Sequence, residues 1–159
     1  MSGTAMTEAS IGIGDQLPSF DVRPDPVQLF CYSAITWNPH RIHYDAPYAR
    51  DVEGYDDVLV HGPLMGSWLM RLCETWVRPW GRVTSMTYRT VTSVHPGTTL
   101  TVGGVVTRGG NAPEAEIWVA LPDGTYATQG SVSALISDGA GGAPTTAVND
   151  DRPDGGDKR

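Results

Sequence analysis

One long apolar helix pattern, followed by an unbroken series of strand patterns, limits what this chain can fold into. Between Pro63 and Val77, Leu64, Trp68, Leu72 and Trp76 recur every four residues, and Met65 and Leu69 widen the stripe. Pro63 suits the first helical position, where a missing N–H costs nothing, so Gly62 is expected as the N-cap. Arg78-Pro79 is expected to end the helix. The texture then changes to "RVTSMTYRTVTSV", "TTLTVGGVVTR", "AEIWVAL" and "TYATQGSVSALI", rich in Val, Thr and aromatics. The separators "HPG", "GGNAP" and "PDG" are turns, too short for crossover helices, so the sheet is expected to be antiparallel. A stripe of that width needs cover, and a sheet curled around the helix provides it. The fold class is α+β, one domain with an antiparallel sheet wrapped around a long central helix.

Ahead of the helix, "VQLFCYSAI" (Val27 to Ile35) reads as a strand from its β-branched and aromatic content. Asp45 is placed to cap a short helix beginning "APYARD". The ends have another character. Residues 1–10 are expected to be loose. Residues 137–159, almost all Gly, Ala, Pro, Thr and Asp, bury too little apolar surface to offset their ordering entropy and are expected to be disordered. The domain is therefore expected over residues 11–136.

Charge and cysteine usage exclude several classes. A net charge of −7 without a basic stripe argues against nucleic-acid binding. Cys31 and Cys73 lie far apart in unrelated patterns, which suits free thiols in a reducing compartment. No run approaches the ~18 apolar residues of a membrane span, and the start lacks a basic segment leading into an apolar one. The expected location is the cytoplasm.

The polar residues concentrate in "TWNPHRIHYDAPYA", Thr36 to Ala49, and His61 returns at the end of the next apolar run. A plain connecting turn is one reading. A metal site built from His40, His43, Asp45 and His61 is another, although no ligand motif is complete. Acid–base chemistry is a third. His43 titrates near neutral pH, and the helix opening at Gly62-Pro63 gathers free N–H groups and the positive dipole end, where enolate charge would be stabilised.

These residues carry a family resemblance. "SAITWNPHRIHYDAPYA" followed by "VLVHGPLMGSWLM" resembles the MaoC-like, hydratase-2-type hot-dog enzymes, and more narrowly their 3-hydroxyacyl-thioester dehydratase type 2 branch. It covers about Val27 to Leu72 closely and the later strands in pattern. The usual motif is Asp-x-Asn-Pro-x-His. Aligned on His43, this chain has Asn38 in the Asp place, His40 in the Asn place and Arg41 in the Pro place, while Ile42 and Asp45 agree.

The resemblance implies a lyase interconverting 3-hydroxyacyl and 2-enoyl thioesters, with no cofactor and no metal. His43 would move the proton and Asn38 would hold the hydroxyl or a water, since an amide exchanges no proton near neutral pH. Asp45 or His40 would orient His43 or supply a second proton. Gly62, helped by Leu64, would offer its N–H to the thioester carbonyl. Arg41 would meet a phosphate of coenzyme A or of a carrier arm, or pair with Asp45 or Glu53. Trp37, Tyr48, Met65, Trp68 and Leu69 would wall the acyl group, and His61 would pack, cap or touch substrate. The expected partner is an acyl thioester, on coenzyme A or an acyl carrier protein. The expected assembly is a homodimer or a heterodimer with another hot-dog chain. Two other readings remain: a non-catalytic partner subunit, favoured by Asn38, and a hot-dog thioesterase using Asp45.

Overall fold

The computed structural model describes residues 11–137. The expectation for residues 1–10 lies outside them, as does the expected tail except Ser137, whose N–H still donates to the Trp80 carbonyl (3.0 Å).

Helix α3 (Gly62–Val77) forms the centre. Its stripe is buried as the spacing predicts: Met65, Leu69 and Leu72 are fully covered, and Leu64, Trp68 and Trp76 nearly so. It starts one residue earlier than expected. His61, at φ −66° and ψ 133°, is the N-cap, so Gly62 is the first helical residue. Arg78 closes the helix with its N–H on the Glu74 carbonyl.

Four strands follow as predicted: β2 (Gly81–Thr90), β3 (Leu100–Arg108), β4 (Glu114–Ala120) and β5 (Tyr126–Ile136). A short β1 (Phe20–Val22), which the sequence reading missed, pairs antiparallel with β3. The order is β1-β3-β4-β5-β2, antiparallel throughout. Buried Val102, Val106, Ile117, Val119, Ala127 and Val132 join the α3 stripe in one core. Sheet and helix approach closely at Gly66, where a Cβ would lie 2.3 Å from the Tyr88 ring.

The predicted strand at Val27–Ile35 is wrong. That segment is α1 (Pro26–Ile35). Asp25 caps it, its side chain accepting from the Gln28 N–H at 2.8 Å, and Pro26 opens it. Its inward residues, Leu29 and Ser33, are four apart, a helical spacing. Strong start signals outweighed the β-branched content. After α1 the chain makes a short 3-10 turn (Arg41–His43) and then α2 (Ala46–Asp51), capped by Asp45 as expected.

Candidate active site

Three segments meet at the start of α3. The 3-10 turn delivers His43, the extended stretch before α3 delivers Leu59 and His61, and α1 delivers Ser33. Leu59 is clamped from both sides. Its N–H donates to the Ile42 carbonyl (2.8 Å) and its carbonyl accepts from His43 Nδ1 (2.8 Å). That carbonyl can only accept, so the His43 proton sits on Nδ1 and Nε2 keeps a free lone pair. Burial draws the His43 pKa below 6.5. The Leu59 bond opposes this and nearby His40 adds to it. His43 is thus a neutral base at neutral pH, already oriented.

His61 lies against it. The two rings stack with centroids 3.7 Å apart and planes 20° apart. His61 is wholly buried, its Nε2 is 2.8 Å from Ser33 Oγ, and the Tyr32 ring is 4.8 Å away. Burial, reinforced by His43, pushes its pKa down to about 4. Folding therefore requires this ring to be neutral. Its stabilising contribution is complete above pH 6.5 and is lost as pH falls towards 4, by on the order of 3 kcal/mol. Urea midpoints should fall between pH 6.5 and 4, and less steeply in His61→Asn. Equal slopes would refute the assignment.

The other predicted residues divide. Asn38 Oδ1 accepts from the His40 N–H (3.1 Å), closing the turn, and the Asn38 N–H donates to the Ser33 carbonyl (2.9 Å). Asn38, Ser33, Phe30, Trp37 and Tyr44 line an apolar cleft of about 380 Å³. His40 lies 6.0 Å from the His43 ring, centroid to centroid. Asp45 is bonded elsewhere than to His43. One oxygen accepts from the Tyr48 N–H at the start of α2 and the other from Arg41 Nη2 (2.7 Å), which holds its carboxyl below the usual range. The Arg41 guanidinium, 4.1 Å from the Tyr48 ring centroid, is the ion-pair partner the sequence offered as one option, with Asp45 rather than Glu53. Tyr48 donates its hydroxyl to Glu53. Met65, Trp68 and Leu69, expected as acyl walls, are buried in the core, as is the side chain of Leu64, whose N–H was expected to help Gly62. Trp37 is 91% exposed and holds the left-handed φ of 51°, unusual for a bulky residue.

Two parts of the site escaped the sequence reading. Ser33 sat in a segment taken for a strand; as a helix, the Leu29/Ser33 spacing would have put it on the inner face. The Leu59 carbonyl is backbone and leaves no trace in residue type.

A family model described as hydroxyacyl-thioester dehydratase type 2 matches residues 7–96. The chain belongs to the hydroxyacyl-thioester dehydratase type 2 family. Over 53 residues the chain is 59% identical to a mesaconyl-C(4)-CoA hydratase of Chloroflexus aurantiacus, covering 33% of this chain and 19% of that protein. Another 33% identity runs over 76 residues of the mitochondrial hydroxyacyl-thioester dehydratase type 2 of Saccharomyces cerevisiae, 48% of this chain and 26% of the yeast protein. The matches thus span about a quarter or less of these relatives. The family's hot-dog fold recurs in the ChsH1-ChsH2 complex of Mycobacterium tuberculosis, with a TM-score of 0.71 at 18% identity over 80% of this chain and all of that one.

Proposed function

We propose that the chain is a hydro-lyase that interconverts 3-hydroxyacyl and 2-enoyl thioesters carried on coenzyme A or a carrier protein. The observation that carries the reading is the free Nε2 of His43, held by the Leu59 carbonyl against the N-cap of α3. In dehydration Nε2 takes the C2 proton. The C–H electron pair moves towards the carbonyl, and charge collects on the thioester oxygen. The Gly62 N–H, at the first helical position where no intrahelical acceptor exists, meets that charge together with the positive end of the α3 dipole. The imidazolium then returns its proton to the departing hydroxyl on the same face, releasing water. Hydration runs the steps backwards.

The purified chain is expected to hydrate crotonyl-thioester, followed as loss of enoyl absorbance. Inactivity alone, rescued by a second hot-dog chain, would instead support the partner-subunit reading, which Asn38 favours because it offers no acid. Release of free thiol would indicate a thioesterase, a reading weakened by the engagement of both Asp45 oxygens.

The likeness to a chain of the ChsH1-ChsH2 complex fits assembly with a second hot-dog chain, identical or different. So does β2, a ten-residue edge strand with Tyr88 exposed. Free Cys31 and Cys73 fit the cytoplasm.

A further inference from the structure

His61 holds an unexplained atom. Its ring is wholly buried, yet Nδ1 has no hydrogen-bond partner among the described residues. A buried ring nitrogen left so is destabilising, and a bound ligand atom would remove that penalty. The surroundings define that ligand. The distal nitrogen, Nε2, is taken by Ser33 Oγ at 2.8 Å, and one ring face is covered by His43. Nδ1 is the ring nitrogen nearer the main chain, about five bonds from the nitrogen of the His61–Gly62 peptide. The Gly62 N–H, also without an intrahelical acceptor, belongs to that same peptide.

We propose that His61 is a catalytic residue: Ser33 donates its hydroxyl proton to Nε2, which places the ring proton on Nδ1, where it joins the Gly62 N–H in donating to the thioester oxygen. A carbonyl oxygen is only an acceptor, so bound substrate selects this tautomer. As His43 removes the C2 proton, the C–H pair forms the C1–C2 double bond and the carbonyl π pair settles on oxygen between the two donors. No proton leaves His61.

A neutral donor suits the place. His61 faces His43 across the stack and Tyr32 from α1, and Tyr32 in turn feels the charge of Tyr88 of β2. His43 itself becomes cationic during the step, and a second cation 3.7 Å away would oppose it. Burial holds His61 uncharged at neutral pH, with its pKa down at about 4.

The inference rests on the dehydratase reading but can fail separately. His61→Asn puts an amide N–H near the place of Nδ1. His61→Gln reaches towards Ser33 and leaves the Nδ1 place empty. The expected kcat for crotonyl-CoA hydration is about 10²-fold lower in His61→Gln than in His61→Asn. Binding of butyryl-CoA, an unreactive thioester, should weaken about tenfold in His61→Gln. Binding of S-butyl-CoA, a thioether without the carbonyl, should not change. Equal losses for both ligands, or parental kcat in His61→Gln, would overturn the proposal. Should both variants fail to fold, Ser33→Ala is expected to lose butyryl-CoA affinity selectively and Ser33→Thr to restore it; parental selectivity in Ser33→Ala overturns it. A parent chain that leaves crotonyl-CoA untouched sinks the dehydratase reading, while the paired affinities still decide the carbonyl contact.

Discussion

Replacing His43 with Gln is expected to lower kcat for enoyl-thioester hydration by about 10³-fold with the fold intact. General acid–base catalysis by one side chain contributes roughly 10²–10⁴-fold, and in the proposed mechanism the same ring both takes and returns the proton. Gln offers no base. The variant also loses the bond from Nδ1 to the Leu59 carbonyl (2.8 Å), but Leu59 keeps its N–H bond to Ile42, so the loop stays in place. The parent's pH profile gives the complementary evidence. His43 acts as a neutral base and burial lowers its pKa. Hydration should therefore be fully active at pH 7 and fall only below the ordinary histidine value of 6.5. The residual activity of His43→Gln should lack that acid limb. An unchanged kcat, or an unchanged limb, would remove His43 from the chemistry.

The second large effect belongs to a backbone atom. Gly62→Pro deletes one N–H and little else, since proline is tolerated in the first turn of a helix. His61 already has the extended geometry that a residue before proline requires. One obstacle is steric: a Cβ at position 62 would lie 2.7 Å from Thr90 Oγ1. The comparison is therefore made with Thr90→Ala present, between Gly62→Pro and Gly62→Ala. Both carry the new carbon, and only one lacks the donor. Loss of one oxyanion donor lowers kcat by about 10²–10³-fold, and that is the expected difference. If the two variants turn over within threefold of each other, the Gly62 N–H does not face the reacting oxygen.

The parts legible in the sequence were those with a strong period or a fixed spacing. The α3 stripe repeats over four turns and the four strands are punctuated by turns, so both were found. Asp45 was found as a cap because capping depends on local residue type. Val27–Ile35 was misread because Val, Phe, Tyr and Ile dominate it, whereas Asp25-Pro26 decides its conformation from outside the window. The structure gives Asp45 the local work its residue type suggests: its carboxylate accepts from the start of α2 and from Arg41, and its recorded bonds do not include one to His43. The sequence leaves His61 to pack, cap or touch substrate, since burial and stacking are tertiary facts. Only the fold places it against His43.

The way the site is assembled also bears on how the molecule opens. Strands β3, β4 and β5 form a meander held by neighbouring antiparallel ladders and the α3 stripe. By contrast, α1 buries only Leu29 and Ser33 fully, with Tyr32 packed part-buried against the core, and α2 only Ala49, with Ala46 part-buried. Local unfolding starts where few apolar contacts must be broken. The amides of α1 and α2 are therefore expected to exchange with solvent deuterium well before those of the meander. When they open, Ser33 leaves His61 and the turn bearing His43 loosens, although the sheet persists. A preparation can thus look intact by its β-sheet signal and already be inactive, and thermal inactivation should precede the main melting transition.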